Sequence, residues 1–193
     1  PTYRFLCQAA TFIGVETTFC GDEFPFIVQN RTMAGQFSAH VMTSIISGFI
    51  ISFPYILYEF WKFISPGLLE KEKAKSRGFI FVSSMLFFIG VLFGYYIISP
   101  LSINFLGTYQ VSSQVLNEID LGSFISLVRS SAIASGIIFE LPIIIYFLTK
   151  AGVVTPESLV KYRKYALVLV LVLAAIITPP DVASQIIVAI PIV

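Results

Sequence analysis

The sequence predicts an all-α membrane protein, a polytopic bundle of transmembrane helices, and three observations carry that reading. Of its 193 residues, 56% are hydrophobic and 12% charged, against about 45–50% apolar and about 25% charged in soluble domains. The charges are clustered, so the 40 residues 78–117 hold no acidic or basic side chain. The apolar runs are apolar on every side and lack the period-two alternation, in segments of about ten residues, of a membrane β-barrel. This patterning excludes a disordered chain, a nucleic-acid module and a typical soluble globule.

Taken in order, residues 1–36 read as a loop, and five apolar segments follow at about 37–63, 78–98, 126–149, 166–178 and 182–193. The fourth has only 13 residues; at 1.5 Å per residue it rises about 20 Å, short of a hydrocarbon core of about 30 Å. Flanking residues extend it, or the bilayer thins around it. Gly48, Pro54, Gly90, Gly94, Gly136 and Pro142 fall inside the spans, where such residues mark kinks or close helix contacts. Gly90 and Gly94 form a small-xxx-small pair, read as internal packing ahead of a dimer contact.

Lysine and arginine set the expected orientation. Lys62, Lys71, Lys73, Lys75 and Arg77 lie between the first two spans, and Lys150, Lys161, Arg163 and Lys164 between the third and fourth. The opposite side has Arg4 and Arg31, with Arg129 just inside the third span. The positive-inside rule then places the basic segments 64–77 and 150–165 in the cytoplasm. Tyr55, Tyr58 and Trp61, and Tyr95 and Tyr96, suit interfacial belts. Residues 1–36 come to lie outside, which predicts an additional helix upstream of Pro1, and the last span is expected to continue beyond Val193.

Few residues are candidates for chemistry. Glu140 lies mid-span, where a charge costs about 2.5–3.5 kcal/mol or more. Two readings stand: a functional carboxyl facing a wet cavity, or a structural carboxyl bonded to a neighbouring helix. Arg129, eleven residues away on the same helix side, is about 16 Å distant along the axis and not an obvious partner. Glu70 and Glu72 are the acids of the basic segment that opens Ser65-Pro66. Carboxylates there are suited to bidentate pairing with arginine of an incoming peptide. The two point to different faces of a helix, however, and would not clamp one ligand together; from the residues alone a solvated Glu/Lys mixture is the simpler explanation. In Thr178-Pro-Pro-Asp181-Val-Ala-Ser-Gln185, two prolines end a helix and Asp181 is placed to cap the next. Thr178, Asp181 and Gln185 also form a polar notch able to bind a partner helix.

Cys7 and Cys20 lie on the expected oxidising side, where a disulfide is open to them. Asn30-Arg31-Thr32 fits a glycosylation sequon, and His40 has no acid near it in sequence. Neither a metal-ligand cluster nor a phosphate-cradling glycine loop is present in the sequence, so no cofactor, metal or nucleotide is expected.

Three segments resemble one known family. Phe53-Pro54-Tyr-Ile-Leu-Tyr-Glu-Phe-Trp61, followed by Phe63-Ile-Ser-Pro66-Gly-Leu68 and Glu72, is similar to the second helix and first cytoplasmic loop of TatC. TatC is the multispanning receptor subunit of the twin-arginine protein translocase. Gly136-Ile-Ile-Phe-Glu140-Leu-Pro142 resembles the family's fourth-helix carboxylate motif, and Thr178-Pro-Pro-Asp181-Val-Ala-Ser184-Gln185 with Ala189-Ile-Pro191 resembles its TPPD-SQ-AxP signature. The stretch Gly35–Met42 departs from the Pro- and Lys-containing segment usual at that place.

The resemblance implies a six-helix fold, here without its first helix and the end of its last. It implies a receptor, not an enzyme, in the cell inner membrane. Signal peptides of folded proteins would dock through paired arginines at Glu72, with Glu70 the less favoured neighbour. Glu140 would be the buried carboxyl of the bundle. Thr178 and Gln185 would accept the single-span helices of TatA and TatB in an oligomeric complex driven by the proton-motive force. From the residues alone a proton-coupled small-molecule carrier using Glu140 is the alternative.

Overall fold

The computed structural model describes residues 26–64, 76–110, 112, 117–150, 164, 168 and 172. Three apolar helical segments, each long enough to cross a bilayer, run 35–63, 80–108 and 121–149. Helix α1 spans Gly35–Ile64 and α2 spans Ser76–Phe93. A single wider turn, Gly94–Ile98, joins α2 to α3, Ser99–Thr108, and the third span is α4, Leu121–Lys150. Two short strands, β1 (Ile27–Gln29) and β2 (Glu118–Asp120), pair in parallel with Val28 opposite Ile119. They lie where α1 and α4 begin and α3 ends.

The second helical run, 76–108, extends beyond the span 78–98 expected from the sequence. Pro100 has no N–H and its ring would collide with the carbonyl one turn back, so a regular α-helix would break there. The chain instead widens by one residue. The Ser99 N–H reaches back five residues to the Gly94 carbonyl, which also accepts the Ser99 hydroxyl at 2.9 Å. Such π turns absorb a local misfit without ending a helix, and the helical run continues to Thr108. There the Tyr109 N–H closes on the Phe105 carbonyl at 2.9 Å.

Between α3 and α4 the strand β2 intervenes, and α4 begins at Leu121, ahead of the residue 126 expected from the sequence. Asp120 explains the start at Leu121. Its Oδ2 accepts the N–H groups of Gly122 at 2.9 Å and Ser123 at 3.3 Å, satisfying two donors that a helix N-terminus otherwise leaves orphaned. Its Oδ1 accepts the Arg31 N–H at 3.3 Å, and the Arg31 guanidinium pairs with Glu118 at 3.0 Å. Asn117 Nδ2 donates to the carbonyls of Gly107 and Tyr109 at 2.8 and 3.1 Å. Phe26 is buried against Gly107, where any β-carbon would overlap its ring.

Packing follows the logic of a lipid-facing bundle. Phe37, Ile51, Phe60, Phe63, Phe81 and Met85 are exposed, whereas Ser83, Ser99, Ser102, Ser131, Ser135 and Glu140 are buried. In water that distribution would be unstable; with hydrocarbon as the solvent, aliphatic side chains lose nothing by facing out and small polar residues join helices. Helices α2 and α4 run antiparallel and touch at glycine. A β-carbon on Gly90 would stand 2.8 Å from the Ser135 carbonyl and 2.9 Å from Gly136 Cα. Gly94 meets Ser131 and Ala132 in the same way, so the Gly90/Gly94 pair serves internal packing. Fully buried Phe87 lies on Gly136 and stacks on Phe53 of α1 at a centroid distance of 3.6 Å. Trp61 of α1 meets Phe147 of α4 edge to face at 5.0 Å.

Candidate functional site

Glu140 sits on α4 two residues before Pro142 and is buried, 6% exposed. Its position follows from the glycine seam. Gly90 and Gly94 let α2 close onto the antiparallel α4, so the residues before Gly90 run alongside those beyond Gly136. That places Ser83 opposite Glu140, and the Ser83 hydroxyl donates a short hydrogen bond to Oε2. Pro142 removes one backbone donor and leaves the Ile138 carbonyl without its usual helical partner. This loosens the helix beside the carboxyl.

Among the described residues the other carboxyl oxygen, Oε1, is buried without a hydrogen-bond partner. The same holds for the hydroxyls of Ser84, Ser102 and Ser131. A buried polar atom left unpaired costs about 1–3 kcal/mol, so hydrogen bonds to these atoms matter to the stability of the bundle. The stacked rings of Phe87 and Phe53 form an apolar layer beside the Glu140–Ser83 pair, next to Gly136. The arrangement can hold a carboxyl at membrane depth and offer one oxygen of it. Among the described residues no group of three His, Cys, Asp or Glu is placed to hold a metal ion.

Of the residues singled out in the sequence, Glu140 thus joins a neighbouring helix, and Arg129 is half-buried on α4 with no ion pair to it. His40 is exposed on α1. Glu70, Glu72, Cys7, Cys20, Thr178, Asp181 and Gln185 lie outside the described residues. So does most of the fourth span, of which Val168 and Val172 are described as helical, as is Lys164 just before it. Ser83 was missed. Its only sequence signal is a Ser-Ser pair inside an otherwise apolar run.

At the strand end, electrostatics are local. The Arg31 N–H bonded to Asp120 holds that carboxyl below its ordinary value, partial desolvation opposes this, and the Ser123 and Gly122 N–H groups and the Arg31 charge add to the lowering.

Three membrane-length apolar helices, with serine and glutamate packed inward and aliphatic side chains outward, define a polytopic helical membrane protein. The chain belongs to the TatC family: residues 3–191 match Sec-independent protein translocase protein (TatC). It is 50% identical over 164 residues to the TatC protein of Blattabacterium sp. subsp. Periplaneta americana (strain BPLAN), covering 85% of this chain and 62% of that protein. It is 42% identical over 153 residues to TatC of Helicobacter pylori (strain ATCC 700392 / 26695), covering 79% and 60%. It thus spans about three fifths of the length of these curated relatives.

A crystal structure of the twin arginine translocase receptor TatC in DDM superposes with a TM-score of 0.74 at 34% identity, over 98% of this chain and 87% of that one. A second crystal structure of that receptor gives 0.71 at 36% identity, over 98% and 80%. The family is one of protein-transport components, not a family of enzymes.

Proposed function

We propose that this chain is the receptor core of a twin-arginine translocase, which binds the signal peptides of folded proteins and gathers single-span partners around itself. The observation that carries the proposal is the TatC match along residues 3–191, taken with a glutamate set among lysines at Glu72. A carboxylate in a basic surface segment selects guanidinium by geometry: two parallel hydrogen bonds fit arginine and not lysine. The surrounding lysines repel cationic peptides that cannot make that pair. Glu70 is the secondary contact.

In this reading segments 64–77 and 150–165 face the cytoplasm, the strand end lies on the other side of the inner membrane, and Thr178, Asp181 and Gln185 receive TatA- and TatB-type helices. Glu140 is the buried carboxyl that keeps the bundle polar at depth, and the proton-motive force drives transport. Photo-cross-linking of a twin-arginine signal peptide to the full-length protein in membranes tests the docking role. Glu72→Ala and Glu72→Lys should abolish the adduct while membrane insertion is unchanged; an adduct of undiminished yield would refute it.

A further inference from the structure

Arg129 is a cation inside a span that the reading so far leaves without a task. Glu118 is taken by Arg31, and Asp120 by the Arg31 N–H and the start of α4. Glu140 is bonded to Ser83. Among the described residues Arg129 has no ion-pair partner.

Two independent measures put Arg129 at headgroup depth. From Ser131 to Thr149 are 19 residues, about 28 Å of helix, which nearly fills a hydrocarbon core of about 30 Å. Arg129 is then left at the boundary. Helix register gives the same level: Gly94 lies against Ser131 and Ala132, so the following residues of the antiparallel span, Tyr95 to Ile98, come level with Arg129. Tyr95 is exposed and meets Tyr96 edge to face at 5.1 Å, and paired tyrosines in a span mark the headgroup level.

The surface beside Arg129 has a polar head and an apolar tail. Side chains on a helix lean toward its N-terminus, so exposed Ser126, one turn back from Arg129, lies within reach of an arginine side chain directed away from the hydrocarbon. Ser130, whose hydroxyl donates to the Leu127 carbonyl at 3.1 Å, is exposed and shares a helix side with Ser126. Ile137 and Ile144, seven and fourteen residues on from Ser130, continue that side and are 50% and 47% exposed. Hydroxyl and guanidinium donors above an aliphatic track match a phospholipid in outline, and a guanidinium with no ion-pair partner among the described residues favours an anionic one.

We propose that Arg129 and Ser126 bind the phosphate of one anionic phospholipid in the leaflet on the strand side, with an acyl chain along Ile137 and Ile144. The guanidinium clamps two phosphate oxygens and the Ser126 hydroxyl donates to the headgroup. The site is distinct from the Glu140–Ser83 pair and requires nothing of Glu72.

Native mass spectrometry of the full chain released from dodecyl maltoside tests this, with dioleoylphosphatidylglycerol, dioleoylphosphatidylcholine and inorganic phosphate added separately. The wild type should retain one phosphatidylglycerol in preference to phosphatidylcholine, and Arg129→Gln should lower the phosphatidylglycerol-bound fraction about tenfold. Ser126→Ala and Arg129→Lys should each lower it by a smaller factor, and these variants read out the site if Arg129→Gln fails to fold. Undiminished lipid retention in Arg129→Gln or, failing that, in both milder variants overturns the proposal and points to a polypeptide carboxylate as the partner. Equal retention of phosphatidylcholine overturns the charge selection. Displacement of the lipid by inorganic phosphate overturns the lipid as the source of the anion.

Discussion

Replacing Gly90 by alanine adds one methyl group at the point where α2 lies closest to α4. That carbon would stand 2.8 Å from the Ser135 carbonyl, and 2.9 Å from both Gly136 Cα and Phe139 Cβ. Ordinary contact begins at 3.4 Å, so the helices must part by 3.4 − 2.8 = 0.6 Å. The obstacle is largely backbone and cannot rotate away. Overpacking of this kind costs about 1–3 kcal/mol, and the rigid surroundings place Gly90→Ala in the upper half of that range. Alanine's better helix propensity returns about 1 kcal/mol, for a net loss of about 1–2 kcal/mol.

Gly48 supplies the control, because a β-carbon there meets nothing within 4 Å. Gly48→Ala therefore gains the propensity alone, and the two variants should differ by about 2–3 kcal/mol. Unfolding by SDS in mixed micelles measures both. If the two variants unfold at the same SDS fraction, the glycine seam does not hold α2 and α4 together and the placement of Ser83 opposite Glu140 loses its basis.

Other perturbations follow from single contacts. Ser83→Ala removes the donor to Glu140, and a double-mutant cycle with Glu140→Leu should return a coupling of about 0.6–1.7 kcal/mol, the range for hydrogen bonds between membrane helices; zero coupling would deny the pair any part in packing. Asp120 has its pKa lowered in the fold from a value of 3.8, so its contribution is present above that value and disappears as pH falls through the lower folded pKa. Amide exchange at Gly122 and Ser123 should accordingly speed up at acid pH beyond the intrinsic trend, and Asp120→Asn, which keeps a capping oxygen, should flatten the effect. Restoring a donor N–H by Pro100→Ala removes the reason for the wide turn at Gly94–Ile98; a structure of that variant should show the Ser99 N–H bonded to Tyr95, and an unchanged turn would mean that packing against α4 dictates it.

The three described spans were legible because membrane helices need long apolar runs, and 37–63 differs from Gly35–Ile64 by a residue or two at each end. The helical run beyond Ile98 was not legible, because Ser99-Pro100 reads locally as a helix stop. What overrides that signal is tertiary: Ser99 and Pro100 are buried, and one π turn settles the hydrogen bonds. The paired strands escaped notice since three residues, two of them acidic in β2, carry no periodicity; only the partner strand and the Arg31 contacts define them.

Glu140 could be found from sequence because a carboxyl among aliphatic residues is energetically conspicuous. Ser83 could not, since a serine in a membrane helix ordinarily bonds its own backbone. Which serine meets the glutamate depends on where Gly90 and Gly94 bring the helices together. Glu72 stood out as an acid in a basic segment, and the role proposed for it comes from the family resemblance and the chemistry of carboxylate and guanidinium.

Equilibrium binding of signal peptides to the full-length protein in nanodiscs tests the receptor role most directly. A peptide with adjacent arginines should bind the wild type at least about tenfold more tightly than its twin-lysine counterpart, which lacks the bidentate fit. In Glu72→Gln that preference should fall to about one, through weaker arginine binding with lysine binding little changed. A preference for arginine that survives the substitution intact would contradict the assignment of Glu72 and move peptide recognition elsewhere on the chain.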